Sequence, residues 1–107
     1  MQDKKALERG SVIGILGGGQ LGRMTAMAAA DLGYKVNVFT PANGEPAPAE
    51  QVVNKVFYAE YEDEKALKEF AESVDIITLE FENIPQSTLL FIEQQKSLMP
   101  NSQAVYI

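Results

Sequence analysis

The chain has 107 residues, 46% of them hydrophobic, a formal net charge of −6, and neither cysteine nor histidine. That size and composition fit one packed domain, and the acidic balance argues against a nucleic-acid or anionic-membrane surface. The missing residue types rule out disulfides, thiolate zinc sites, cysteine nucleophiles and histidine bases; a metal would need carboxylates, and no loop has calcium-type spacing.

Residues 1–10 read as a polar, flexible leader without a signal-peptide core, and no run reaches transmembrane length, so a cytoplasmic protein is expected. Val12 to Leu16 is almost continuously apolar, the pattern of a strand covered on both faces. Gly17, Gly19 and Gly22 then fit G-x-G-x-x-G, with Gly18 between them. Gln20 to Leu32 is rich in alanine and methionine and reads as a helix with Gly33 as its C-cap. Leu21, Met24, Ala28 and Leu32 lie near helical spacing, and Met24 and Met27 read as core or interface. Val36 to Phe39 is a second strand, ended by Thr40-Pro41. Residues 41–48, with three prolines and a glycine, form a loop.

Ala49 to Asn54 is a candidate short helix and Val56 to Ala59 a third strand. Asp63 is placed as the N-cap of a helix whose stripe is Leu67, Phe70, Ala71 and Val74. Ile76 to Leu79 is a fourth strand of the buried kind. Pro85 opens a helix through about Gln94, with Leu89 and Ile92 toward the core. Leu98-Met99 is a candidate fifth strand, and Ser102 the cap of a helix that the chain does not complete; the ending at Ile107 reads as the first part of a longer protein. Strands alternating with helices predict an α/β fold, a Rossmann-like doubly wound parallel sheet of four to five strands.

In such a sheet, ligands sit beyond the strand ends where the strand order reverses. With the order 3-2-1-4, the glycine loop after strand 1 and Glu80-Phe81-Glu82-Asn83 after strand 4 face one crevice, although about sixty residues separate them in sequence. The loop suits a ligand anion, because backbone N–H groups at a helix N-terminus can approach it without Cβ atoms in the way. A dinucleotide needs an acid at the end of strand 2 for its ribose, where this chain has Thr40; the nearest acid, Glu45, lies in the proline-rich loop. A P-loop would need Gly-Lys-Ser/Thr, which is missing. Gln20, in the first helical turn, can reach the crevice or solvent, and Arg23 can meet an anion or an exposed carboxylate. Glu80 and Glu82 alternate along an extended segment, so one faces ligand and the other solvent or a partner; Glu80, first past the strand, is the better candidate. The acidic run from Glu60 to Glu64 reads as a solvated loop and helix start.

Ile13-Gly14-Ile15-Leu16-Gly17-Gly18-Gly19-Gln20-Leu21-Gly22-Arg23-Met24, with Leu32-Gly33-Tyr34-Lys35-Val36, resembles the N-terminal domain of the 5-(carboxyamino)imidazole ribonucleotide synthetases. These are ATP-grasp enzymes, once called the ATPase subunit of phosphoribosylaminoimidazole carboxylase, whence an older lyase label. Asp63 to Leu67 and Asp75 through Pro85 share the resemblance, which covers residues 12–107. It implies a pre-ATP-grasp domain at residues 11–107, with the ATP-grasp and C-terminal domains absent from this chain. It further implies an ATP-dependent ligase of de novo purine biosynthesis. Bicarbonate, activated by ATP as carboxyphosphate, is joined to the amine of 5-aminoimidazole ribonucleotide. ATP and magnesium would bind outside this domain, the full-length enzyme would be a homodimer, and this domain alone would be inactive. By the resemblance, Gly19, Gln20 and Leu21 line the aminoimidazole ribonucleotide pocket and Glu80 hydrogen-bonds that substrate near its amine or ribose. Gly17, Gly18 and Gly22 shape the loop. Relatives often have aspartate at the position of Thr40. The alternatives are an NAD(P)-binding oxidoreductase domain and a regulatory nucleotide-binding module, each of which normally wants an acid there.

Overall fold

The computed structural model describes residues 10–42, 44–79, 84–96 and 98–99. Five strands lie in one parallel sheet: β1 (Val12–Leu16), β2 (Lys35–Thr40), β3 (Lys55–Tyr58), β4 (Ile76–Leu79) and β5 (Leu98–Met99), in the order β3-β2-β1-β4-β5. Helix α1 (Gln20–Asp31) joins β1 to β2, a 3₁₀ helix (Pro48–Val52) precedes β3, α2 (Glu64–Glu72) joins β3 to β4, and α3 (Gln86–Gln95) joins β4 to β5. The reversal of strand order between β1 and β4 is the predicted one, with Leu16 paired to Leu79 at its upper end.

Period-2 alternation divides β1 between two cores. Ile13 and Ile15 pack with Ala26, Ala29, Val36, Val38 and Ala49 under α1 and the 3₁₀ helix. Val12 and Leu16 face Phe39, Leu67, Phe70 and Val74 under α2 and α3. On that second face Gly14 has a steric duty. A Cβ there would lie 2.8 Å from Cζ of Phe70 and 3.0 Å from a methyl of Val74. The bare backbone lets Phe70 rest on the central strand, with its ring centroid 5.6 Å from those of both Phe39 and Phe57.

Helix α2 follows its sequence pattern closely. The Asp63 side chain accepts from Ala66 N at 3.1 Å, and Leu67, Phe70, Ala71 and Val74 are all buried. Helix α3 likewise buries Leu89 and Ile92, and also Thr88, whose hydroxyl donates to the Tyr61 carbonyl at 2.6 Å. Helix α1 departs from expectation. Met24 is 62% and Leu32 63% exposed, Met27 and Ala28 face outward too, and the buried stripe is Gly22, Ala26 and Ala29. Small residues let this helix lie close to the sheet, and a reading weighted toward large apolar side chains selects the opposite face. The Met24/Met27 pair is therefore not core. The cap also shifts by one: Leu32 is the C-cap of α1, and Gly33, at φ +93°, turns the chain into β2. Two strands are less enclosed than expected. Val12 and Ile13 are half-buried at the start of β1, and in β4 only Ile77 is fully buried, since its outer neighbour β5 spans two residues.

At the lower end of the sheet a polar network ties helix to strands. Asn37 donates to Ser73 Oγ at 3.0 Å and accepts from Asn54 Nδ2 at 3.1 Å, while Ser73 Oγ donates to the Phe70 carbonyl at 2.7 Å. Asp75 bonds Val12 twice, accepting from its N–H and donating to its carbonyl, both at 2.7 Å.

Gly14→Ala is expected to cost about 1–3 kcal/mol, the usual penalty for overpacking a filled core. Urea unfolding measures it; an unchanged midpoint would mean that Phe70 and Val74 yield without strain.

Candidate ligand site at the glycine loop

The chain leaves β1 and β4 from paired residues, Leu16 and Leu79. Gly17 turns at once, with φ +112°, a backbone region that side chains avoid, and its N–H donates to the Phe39 carbonyl at 2.8 Å. Gly18 is squeezed: a Cβ there would lie 3.0 Å from both Ala47 Cβ and Thr40 Cγ2. Its carbonyl accepts from Ala49 N at 3.1 Å. Gly19 is the N-cap of α1, offers no side-chain cap, and accepts from Arg23 N at 2.9 Å. Gln20 and Leu21 are the first two residues of the helix, and Gly22 is buried against the sheet.

No acidic residue stands in the first turn of α1. The partial positive charge of that helix end is thus not neutralised by a carboxylate of its own turn, the arrangement that favours an anionic or strongly polar ligand. Glu80, Phe81, Glu82 and Asn83 lie outside the described residues, as does Ser102.

Thr40 is 7% exposed, with its methyl against Gly18 and Ala47 beside it. The end of β2, where a dinucleotide-binding fold presents an acid to ribose, is here filled by side chains and loop. Thr40 at this position counts against the NAD(P) reading on residue type. It also gives Gly18 a structural purpose that its motif does not announce.

Arg23 is half-buried and lines a cleft of about 370 Å³ with Pro46, Ala47, Pro48 and Gln51. Glu60, Glu62, Asp63 and Glu64 are exposed, as expected, while Tyr61 between them is buried. Among the described residues no three carboxylates come together to hold a metal ion, and no helix is long and apolar enough to cross a membrane.

Sequence reasoning missed the residues that secure the loop over Gly18. The Ala47 N–H donates to Tyr58 Oη at 3.0 Å, and Tyr58 Oη donates to Glu50 Oε1. The Glu50 N–H returns to the Ala47 carbonyl at 2.9 Å. The available signal was a small residue, Ala47, held between Pro46 and Pro48.

A parallel sheet reversing at a glycine loop that opens a helix defines a Rossmann-like α/β domain. The model of the ribonucleotide synthetase preATP-grasp domain matches residues 11–107, and the chain belongs to that family. It is 48% identical over 105 residues to the N5-carboxyaminoimidazole ribonucleotide synthase of Brucella melitensis, covering 98% of this chain and 28% of that protein. A Staphylococcus aureus N5-carboxyaminoimidazole synthetase solved with ADP superposes with TM-score 0.85 at 41% identity, over 92% of this chain and 26% of that one. The Aspergillus clavatus enzyme, solved with ADP and 5-aminoimidazole ribonucleotide, gives TM-score 0.75 at 29% identity, over 91% and 26%. The chain thus spans about a quarter of the length of these relatives.

The Tyr58 phenol is held above its ordinary value of 10.0, chiefly because Glu50 accepts its proton in a hydrogen bond; the Ala47 N–H acts in the opposite direction. A raised value favours the protonated phenol in the folded chain. The Tyr58–Glu50 bond is therefore complete below the ordinary phenol value and is lost as pH climbs through the raised one. Carbon-13 NMR of the tyrosine Cζ signals should show Tyr58 titrating above 10.0, and Glu50→Ala should bring it back down; an unmoved titration would contradict the assigned cause.

Proposed function

We propose that this chain is the substrate-side domain of an ATP-dependent ligase that carboxylates 5-aminoimidazole ribonucleotide with bicarbonate in purine biosynthesis. The observation that carries this reading is the glycine loop. It opens α1 at the β1/β4 switch, with no side-chain cap at Gly19 and no carboxylate in the first turn, in a chain of the preATP-grasp family.

In this reading Gly17, Gly18 and Gly22 shape the loop, and the backbone at Gly19, Gln20 and Leu21 forms one wall of the ribonucleotide pocket. Glu80 follows Leu79, the residue paired with Leu16, and takes the hydrogen bond near the substrate's amine or ribose. The domain's task is to hold the nucleotide so that its amine meets an activated carboxyl group; it binds and orients rather than moving protons. ATP supplies the activation. The loop continues Gly22-Arg23-Met24, without the lysine and hydroxyl of a P-loop, and the family resemblance assigns ATP and magnesium to domains of the longer protein. That protein is read as a cytoplasmic homodimer, with residues 1–10 as a leader, residues 11–107 as this domain, and no catalysis from this chain alone.

Calorimetric titration of the chain should give heat with 5-aminoimidazole ribonucleotide and none with NAD; tight NAD binding without a response to the ribonucleotide would overturn the reading. In the longer protein, Glu80→Ala should raise KM for the ribonucleotide about tenfold or more, the usual effect of losing a charge-assisted hydrogen bond. An unchanged KM would remove Glu80 from the site.

A further inference from the structure

Three adjacent glycines make a loop that loses much conformational entropy when it is fixed, yet a binding loop works best when its donors are already in place. The fixing here comes from outside the loop. Ala47 and Thr40 both crowd the position a Gly18 Cβ would take, and Ala49 N–H holds the Gly18 carbonyl. Ala47 is in turn locked into a closed ring of hydrogen bonds with Tyr58 and Glu50, donating to the phenol and accepting from the Glu50 backbone.

Tyr58 is the registered partner of Thr40 across β2 and β3, so both jaws of the clamp on Gly18 are referenced to the same point of the sheet. The residue is 40% exposed, and its hydroxyl both accepts and donates. Ring burial is not the main use of this side chain; the hydroxyl group is.

We propose that Tyr58, acting with Glu50, is a positioning residue for ligand binding: it holds Ala47 against Gly18 and so sets the backbone direction at Gly19, Gln20 and Leu21. This inference rests on the glycine loop being the ribonucleotide site. It predicts that a hydroxyl remote from the ligand governs affinity through loop geometry, and that Glu50 is needed as an acceptor rather than as a charge.

The test uses the whole 107-residue chain as wild type and in three variants of the ring, Tyr58→Phe, Glu50→Ala and Glu50→Gln. Amide NMR follows the signals of Gly17, Gly18 and Gly19, hydrogen exchange follows Ala49, and calorimetry measures binding of 5-aminoimidazole ribonucleotide. In Tyr58→Phe and Glu50→Ala the glycine signals should shift, Ala49 should exchange faster, and affinity should fall about two- to tenfold, the effect of one net hydrogen bond. The urea midpoint should move only slightly. Glu50→Gln, whose amide oxygen still accepts from the phenol, should stay near wild type in all three readouts.

Glycine signals and Ala49 exchange that match wild type in Tyr58→Phe would overturn the inference. If Tyr58→Phe does not fold, the same comparison of Glu50→Ala with Glu50→Gln decides it. Wild-type chain that ignores the ribonucleotide would instead count against the ligand reading, while the NMR signals would still score the clamp.

Discussion

Phe70 lies on the bare backbone of β1 at Gly14, and much of the molecule is arranged around that contact. One methyl group on Gly14 would occupy the space of Cζ of Phe70. Because the ring can sit there, α2 lies close to the central strand, and Phe70 meets Phe39 from β2 and Phe57 from β3. Phe39 also reaches Tyr61, at 6.0 Å between ring centroids, whose carbonyl anchors Thr88 of α3. A single missing side chain thus brings three strands and two helices to one aromatic cluster. Such interiors are packed too densely to accept a displaced ring without moving the elements around it.

The same device recurs at the upper end of the sheet, with a different purpose. Gly14 admits a ring and serves stability; Gly18 admits a methyl from Thr40 and another from Ala47 and serves the shape of a loop. The helix end beyond it has neither a side-chain cap nor a first-turn acid, so it keeps its electrostatic preference for an anion. The packing that rigidifies the loop also fills the end of β2, where a dinucleotide's ribose would otherwise find its acid.

Large side chains made parts of this fold readable. The stripe Leu67, Phe70, Ala71 and Val74, with Asp63 ahead of it, led directly to α2, and alternating elements led to the sheet order and its reversal. Helix α1 was assigned the wrong face because its buried side consists of Gly22, Ala26 and Ala29, whose contribution is closeness rather than hydrophobic area. The glycine motif located the candidate site, but the clamp on it could not be read. It joins Gly18, Thr40, Ala47, Ala49 and Tyr58 through small contacts between chain segments, and no spacing rule connects them. The family resemblance contributed Glu80, which local patterning alone distinguished from Glu82 only by its place after β4.

The polar network under α2 has a consequence for how the chain reaches this structure. Asn37 is 4% exposed and directs its amide toward Ser73 and Asn54 on the α2 face. If β2 slipped by one residue against β1, each of its side chains would change faces. Asn37 would then enter the layer formed by Ile15, Ala26, Ala29 and Ala49, and its amide would lose both partners at a cost of about 1–3 kcal/mol for each unmet group. The asparagine therefore acts as a proofreader of strand alignment: the misaligned sheet carries a penalty that the native one escapes.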